Sequence, residues 1–288
     1  YSRRRDMAHK TRLRLFLASL AFALIGLGLQ RLSLGPSAPL KIWFLDVGQG
    51  DAILIETPGG EQVLVDGGPS RAVVQKLGEI LWPWDRTIEA MVLTHPDADH
   101  VTGLAAVAET YAVGTLYESG RRGSAGGDRR LDEEVDHQVR VHAGDAFDVG
   151  GVHFDVLWPN ADPASYESNN DASVVLRLTY GETSVLLMGD LEAAGERVVA
   201  ETVGPADILK LGHHGSNTSS TPELLSAVRP RYAVIEVGAG NTYGHPTDIV
   251  LARLAGRGIP VLRTDQDGDV LLTSDGGEPA LFPHPLPF

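Results

Sequence analysis

None of the 288 residues is cysteine. That absence excludes a disulfide framework, a thiolate zinc site and a cysteine nucleophile, and it leaves the redox compartment open. Any metal must therefore be held by His, Asp and Glu. Basic residues are scarce as well: 24 Lys and Arg stand against 38 Asp and Glu, a formal net charge of −14. Residues 1–41 hold eight of the basic residues and a single acid, so residues 42–288 carry 16 basic and 37 acidic groups, a net of −21. Such a body lacks the basic stripe of a tight, sequence-independent duplex binder. A polyanionic substrate would need bound cations or a local basic patch to approach it. A salt-adapted surface is the other reading of this acidity.

Long apolar runs are missing too. Leu15–Leu29 is fifteen residues without a charge, short of the ~20 that cross a bilayer. A basic stretch from Arg3 to Arg14 precedes it, and the linker Gly35-Pro36-Ser37-Ala38-Pro39 comes after it. A signal-peptide core and a marginal transmembrane helix both fit. In either case the positive-inside rule keeps the Arg cluster in the cytoplasm and sends the chain beyond Pro39 to the outer face. The expected organisation is a basic, hydrophobic anchor or signal segment with its linker over residues 1–40, then one domain over residues 41–288. That domain is expected to be extracytoplasmic, either membrane-associated or exported.

The body does have turn formers, with 33 Gly and 17 Pro in the whole chain, placed between short apolar runs. Lys41–Asp46, Ala52–Glu56 and Gln62–Asp66 read as strands joined by Gly-rich turns, and Ala90–Thr94 as a buried strand. Helical patterns occur at Val73–Leu81 and Val101–Tyr111, with a Gly/Arg/Asp-rich loop at Gly120–Asp136. Further strands are expected at Val139–His142, His153–Trp158, Ser173–Tyr180, Ser184–Met188, Ile208–Leu211, Tyr232–Val237, Val261–Arg263 and Val270–Thr273. Helices are expected at Leu191–Thr202, Pro222–Val228 and Asp248–Arg257. Two β-rich halves flanked by helices give an α/β fold, a four-layer αββα sandwich. The Trp82-Pro83-Trp84 pair is expected to pack in the core or at an edge rather than to stack bases.

The chemistry gathers at strand ends. His95-Pro96-Asp97-Ala98-Asp99-His100 puts two imidazoles and two carboxylates on a loop leaving a buried strand and entering a helix. That density of ligand-type side chains is costly to pack against itself unless cations neutralise it. Asp190 ends the apolar strand Leu187-Met188-Gly189, where a lone carboxylate faces desolvation unless it is paired, caps a helix or meets a metal. His213 and His214 also end an apolar strand, between Gly212 and Gly215. His245 lies in a Gly-His-Pro turn, where a neutral imidazole can contact a phosphate or protonate a leaving oxygen, or simply hold the turn.

Taken together, His95–His100, Asp66 in Leu64-Val65-Asp66-Gly67-Gly68, Gly189-Asp190 and His213-His214-Gly215-Ser216 resemble the metallo-β-lactamase superfamily. Within it the chain looks like the soluble domain of the ComEC-type competence DNA-uptake proteins. That likeness rests on Phe44-Leu45-Asp46-Val47-Gly48-Gln49-Gly50-Asp51-Ala52, Thr94–His100 and Asn241-Thr242-Tyr243-Gly244-His245-Pro246. The superfamily motif is H-x-H-x-D-H, and this sequence has Asp97 where the second His stands and no obvious middle His between residues 154 and 190. The harder donor set moves preference toward Mn²⁺ or Mg²⁺ without excluding Zn²⁺.

The resemblance implies two divalent ions, with His95 and Asp97 on one, Asp99 and His100 on the other, and Asp190 bridging. His214 would complete the second sphere with His213 beside it, in that order or the reverse. Asp66 and Asp51 would support ligands, while Asn169, Asn170 and Ser173 lie where the missing ligand is expected. Ser216 and Tyr243 are further candidates for ligand support or substrate contact, and Asp99, His213 and His245 for catalysis. The implied activity is a phosphodiesterase, a nuclease degrading DNA during competence-related uptake by means of a hydroxide activated between the two ions. DNA as substrate, the membrane through residues 1–40 and components of a competence channel are the implied partners. Other hydrolases use the same fold: a phosphocholine or other phosphoesterase, a lactonase or a β-lactamase. A non-catalytic DNA-guiding module is the alternative from another class.

Overall fold

The computed structural model describes residues 38–124 and 126–284. The expected membrane or export segment lies outside them apart from Ala38, Pro39 and Leu40. Among the described residues no helix is long and apolar enough to cross a membrane.

Two sheets face each other. The first has eight strands in the order β15-β14-β1-β2-β3-β4-β5-β6. These are β1 (Leu40–Phe44), β2 (Ile53–Glu56), β3 (Gln62–Val65), β4 (Thr87–Leu93), β5 (Ala112–Glu118), β6 (Gln138–Arg140), β14 (Asp269–Ser274) and β15 (Ala280–His284). The second has seven, ordered β13-β12-β11-β10-β9-β8-β7. They are β7 (Ala146–Val149), β8 (Val152–Trp158), β9 (Val175–Tyr180), β10 (Thr183–Leu187), β11 (Ile208–Lys210), β12 (Tyr232–Ile235) and β13 (Val261–Arg263).

Strand alternation builds three apolar layers. Ile42, Phe44, Val63, Val65 and Val92 point from the first sheet to meet Phe154, Leu176, Leu178, Val185 and Leu187 from the second. The alternate residues Trp43, Leu54, Leu64 and Met91 pack outward against helices α1 (Ala72–Ile80), α2 (Ala98–Ala108) and α3 (Gly127–Glu134). Val175, Leu186, Leu209 and Ala233 pack against α4 (Ala193–Ala200), α5 (Pro222–Val228) and α6 (Asp248–Ala255) on the far side. The result is the expected αββα sandwich, with the short helix α7 (Thr264–Asp267) after β13.

Strands β3 to β6 run parallel to one another, as do β10 to β13. Their carboxyl ends lie at one end of the sandwich, the position where ligands bind in open α/β sheets. Helix α2 is drawn tightly onto that end. Gly67 donates to the His100 carbonyl at 2.9 Å and Gly103 to the Gly68 carbonyl at 3.0 Å. A Cβ on Gly103 would stand 1.7 Å from the Gly67 oxygen, so only glycine permits this approach.

Some elements depart from expectation. Strand β5 carries Gly114, whose Cβ would lie 2.4 Å from the Glu89 carbonyl oxygen on β4. The same glycine that lets the strands approach lowers the strand signal. Strands β7 and β15 also form where none is expected, and α3 forms inside the expected loop with a single buried apolar side chain, Leu131. Helix α2 begins at Ala98 and ends at Ala108, three residues earlier at each end than its apolar run. Trp82 and Trp84 stack at 5.1 Å between ring centroids but are 68% and 77% exposed, so core or edge packing is corrected to a surface position.

Candidate metal centre

Loops leaving β3, β4, β10, β11 and β12 converge on one cluster. Its backbone is strained at the residues that shape it: Asp66, His213 and His214 have φ of 56°, 49° and 51°. Left-handed conformations at non-glycine residues cost on the order of 1–3 kcal/mol each and gather where geometry is dictated by function.

Three buried imidazoles, His95, His100 and His214, aim their Nε2 atoms at the Asp190 carboxylate, with Nε2 to Oδ2 distances of 4.0, 3.4 and 3.6 Å. His214 Nε2 also lies 3.5 Å from Asp99 Oδ2, and His95 Nε2 3.7 Å from Asp97 Oδ2. All three Nε2 atoms and Asp190 Oδ1 are buried without a hydrogen-bond partner. Buried polar atoms are normally paired, so four orphans aimed at one point call for an ion. Ligand atoms of His95, His100 and Asp190 lie within 4.8 Å of one another, as do those of Asp99, His100 and His214. The donors are imidazole and carboxylate, which fits divalent ions of the Zn²⁺ and Mn²⁺ class.

The other imidazole nitrogens are fixed from behind. His100 Nδ1 sits 2.8 Å from Asp66 Oδ2, and Asp66 also accepts from the Thr94 amide at 2.9 Å and its hydroxyl at 2.6 Å. His214 Nδ1 lies 2.8 Å from the Glu236 carbonyl oxygen and 3.2 Å from Asp51 Oδ1. His95 Nδ1 meets the hydroxyls of Thr94 at 3.0 Å and Ser173 at 3.4 Å. Acceptors behind an imidazole set its tautomer and turn Nε2 toward the metal. Ser173 also accepts from the Asp190 amide at 3.1 Å.

Without ions the cluster is electrostatically divided. Burial and the neighbouring His100 push His95 down to about 4. Burial would also lower His214, but the Asp190 and Asp51 carboxylates lift it to about 10. His100 is raised well above its ordinary range because Asp190 and Asp66 outweigh burial. Burial would raise Asp99, yet its bond to His214 and the His100 charge bring it to about 2. Asp190 is held well below the carboxylate range by the His214, His100 and His95 charges acting against burial.

The remaining sequence candidates form the mouth. A cavity of about 170 Å³ is lined by Gln49, Asp97, Asn170, His213, Tyr243 and His245 above Asp99, Asp190 and His214. Asp97 is partly exposed and held by Asn169 Nδ2 at 2.6 Å. His213 Nδ1 lies 3.1 Å from Thr218 Oγ1 and 3.3 Å from Glu192 Oε1, so its ring turns from Asp190 toward the rim. Burial and the His213 and His214 charges lower His245. Ser216 stands behind His213, its amide donating to the His213 carbonyl at 2.8 Å and its hydroxyl 3.0 Å from that of Thr218.

Two functional positions escape the sequence argument. Lys210, fully buried on β11, donates to the Asp51 carboxylate. Glu236, equally buried beyond β12, accepts from the Ala52 amide at 3.0 Å. The available signal was a charge on the inward side of an otherwise apolar strand, Ile208-Leu209-Lys210-Leu211 and Val234-Ile235-Glu236-Val237.

The Metallo-beta-lactamase superfamily profile matches residues 45–238. ComE operon protein 3 of Bacillus subtilis (strain 168) is 32% identical over 254 residues, covering 80% of this chain and 32% of its own. Competence protein ComA of Neisseria gonorrhoeae is 33% identical over 234 residues, covering 80% of this chain and 31% of its own. The chain thus spans about a third of the length of the curated relatives it matches. The metallo-beta-lactamase fold protein YhfI from Bacillus subtilis superposes with a TM-score of 0.55 at 13% identity, over 78% of this chain and 96% of that one, a likeness of fold. The chain belongs to the metallo-beta-lactamase superfamily.

Proposed function

We propose that this member of the metallo-beta-lactamase superfamily is a divalent-metal-dependent phosphodiesterase that hydrolyses DNA in competence. The observation that carries the metal dependence is the convergence of three orphaned, buried imidazole nitrogens on Asp190. His95, Asp97, Asp99, His100, His214 and the bridging Asp190 would hold two ions, Mn²⁺ or Zn²⁺ and also Mg²⁺. Bound there, such ions supply Lewis-acid activation of water and neutralise phosphate charge.

The chain's own residues do the rest. Asp66, Asp51 and the Glu236 carbonyl fix the imidazoles before substrate arrives. His245 is held toward its neutral form at the mouth, where it can give or take a hydrogen bond from a phosphate oxygen. His213, oriented by Thr218 and Glu192, and Asn170 stand beside it to contact the leaving side. Bound there, the ions would give a body of net −21 a place for a phosphodiester. A relative named as a competence protein, together with the sequence motifs, supports DNA as the substrate and a place with competence-channel components, and the basic stretch before Leu15 supports a position outside the cytoplasm.

The test is cleavage of labelled single- and double-stranded DNA by the full chain with Mn²⁺, Mg²⁺ or Zn²⁺. Cutting that appears with metal and stops with EDTA is the expected result. Intact DNA beside rapid hydrolysis of lactones or phosphocholine esters would replace this reading with another hydrolase of the fold.

A further inference from the structure

The metal-site cavity, at about 170 Å³, has room for a phosphate-sized group but not for a nucleoside. Whatever is joined to the scissile phosphate must lie elsewhere. A second cavity of about 700 Å³ stands at the same end of the sandwich, lined by Ser119, Arg140, Val141, Pro159, Ala161 and Pro163 among others. Its size falls within the range of small-ligand sites. Arg140 ends β6, and β6 stands two strands beyond β4, whose end carries His95. At ordinary strand spacing that offset is about 10 Å, a span that one or two nucleotides of an extended single strand can cover.

One side chain, Arg121, links a residue that lines the larger cavity to the residue that holds Asp97 at the smaller. Arg121 Nε donates to Asn169 Oδ1 at 2.8 Å, and its terminal nitrogen donates to the Pro163 carbonyl at 3.0 Å and the Tyr166 carbonyl at 3.1 Å. Pro163 lines the larger cavity, and Asn169 holds Asp97 at the rim of the smaller. Arg121 thus ties the wall of the larger space, through Asn169, to the rim of the smaller. The larger one is lined by apolar Val141, Pro159, Ala161 and Pro163, surfaces suited to the face of a base, with the exposed Arg140 guanidinium at the edge for a phosphate. Its one lining carboxylate, Asp162, accepts from the Ala164 amide at 3.0 Å.

We propose that the cavity bounded by Arg140, Val141, Pro159 and Ala161 is a nucleoside subsite that receives an unpaired base next to the phosphate held at the metal centre. This rests on the phosphodiesterase reading and adds to it a preference for single-stranded DNA. A base locked in a duplex cannot enter a concave site without leaving the stack.

The experiment measures binding and cleavage separately, using the full chain and its Ala161→Trp and Arg140→Ala variants. Ala161 is exposed on a loop, so a tryptophan there narrows the cavity without entering the core. Binding of a fluorescein-labelled oligothymidylate is followed by anisotropy with Ca²⁺ present. Both variants are expected to weaken it by roughly tenfold or more. The same variants are expected to lower the ratio of kcat/KM for the oligonucleotide to kcat/KM for bis(p-nitrophenyl) phosphate by a similar factor. Wild-type affinity in both variants overturns the subsite, whether or not DNA is cut. Failure of the wild-type protein to cleave either substrate, with variant-sensitive binding retained, instead removes the phosphodiesterase reading and leaves a nucleic-acid-binding cavity.

Discussion

Asp190→Ala is expected to lower metal-dependent phosphodiester hydrolysis by about 10³-fold or more, in line with loss of a member of a cooperating catalytic unit. Asp190 is the one carboxylate approached by three imidazoles, at 3.4, 3.6 and 4.0 Å. It also opposes the mutual repulsion of His100 and His214 in the metal-free cluster. On the proposed function its loss removes a carboxylate that would hold the ions, and it leaves the imidazoles with less reason to converge. The fold itself does not hang on this side chain, because β10 is fixed by its pairing with β9 and β11 and by burial of Val185, Leu186 and Leu187. Circular dichroism of the variant should therefore match the parent while kcat collapses. Near-parental rates in the folded variant would remove Asp190 from the centre of the site.

Lys210→Met is expected to cost about 3–5 kcal/mol of stability, the usual consequence of breaking a buried ion pair from one side. The ammonium is bonded to Asp51 beside Glu236, and against the effect of burial it is chiefly Asp51 that raises its pKa. Burial raises Asp51, but the Lys210 and His214 charges hold it low. Glu236 is raised well above its range by burial and by the Asp51 charge. Glu236 is already held toward its protonated form, so removing Lys210 leaves the Asp51 carboxylate buried without its lysine partner, and the protein must then protonate Asp51 or let in water. Because Asp51 is depressed in the folded state, its share of stability is present above the ordinary carboxylate range and lost as pH falls through the folded value. The defect should accordingly be large at neutral pH and shrink on acidification. Urea denaturation at several pH values measures it, and a loss under about 1 kcal/mol at neutral pH would contradict the role assigned to this lysine.

The αββα architecture was legible because strand alternation and helical periodicity are written in apolar residues that also form the core, such as Ile42, Phe44, Leu176 and Leu187. Elements with little apolar content were not. Helix α3 buries one apolar side chain, and β5 needs a glycine at its closest contact with β4. The cluster of His95, Asp99, His100, Asp190 and His214 was legible because ligand-type residues at the ends of apolar strands have few other physical reasons to be there. The sequence left the order of His213 and His214 open; the geometry turns His214 to Asp190 and His213 to the rim. Asp51 and Lys210 are 159 positions apart, so their bond, and with it the clamp behind His214, emerges only when β11 is laid beside the loop before β2.

The central claim is that these residues hold divalent ions, and calorimetric titration of the full chain with Mn²⁺ and Zn²⁺ between pH 6 and 8 tests it most directly. Two ions per chain are expected. Affinity should rise with pH, because His214 titrates near 10 in the metal-free protein and His100 is raised as well, so binding must expel protons from both. Proton release on binding, seen as a heat that changes with the buffer's ionisation enthalpy, is part of the expected result. No saturable binding of either ion across that range, or binding indifferent to pH, would contradict the account.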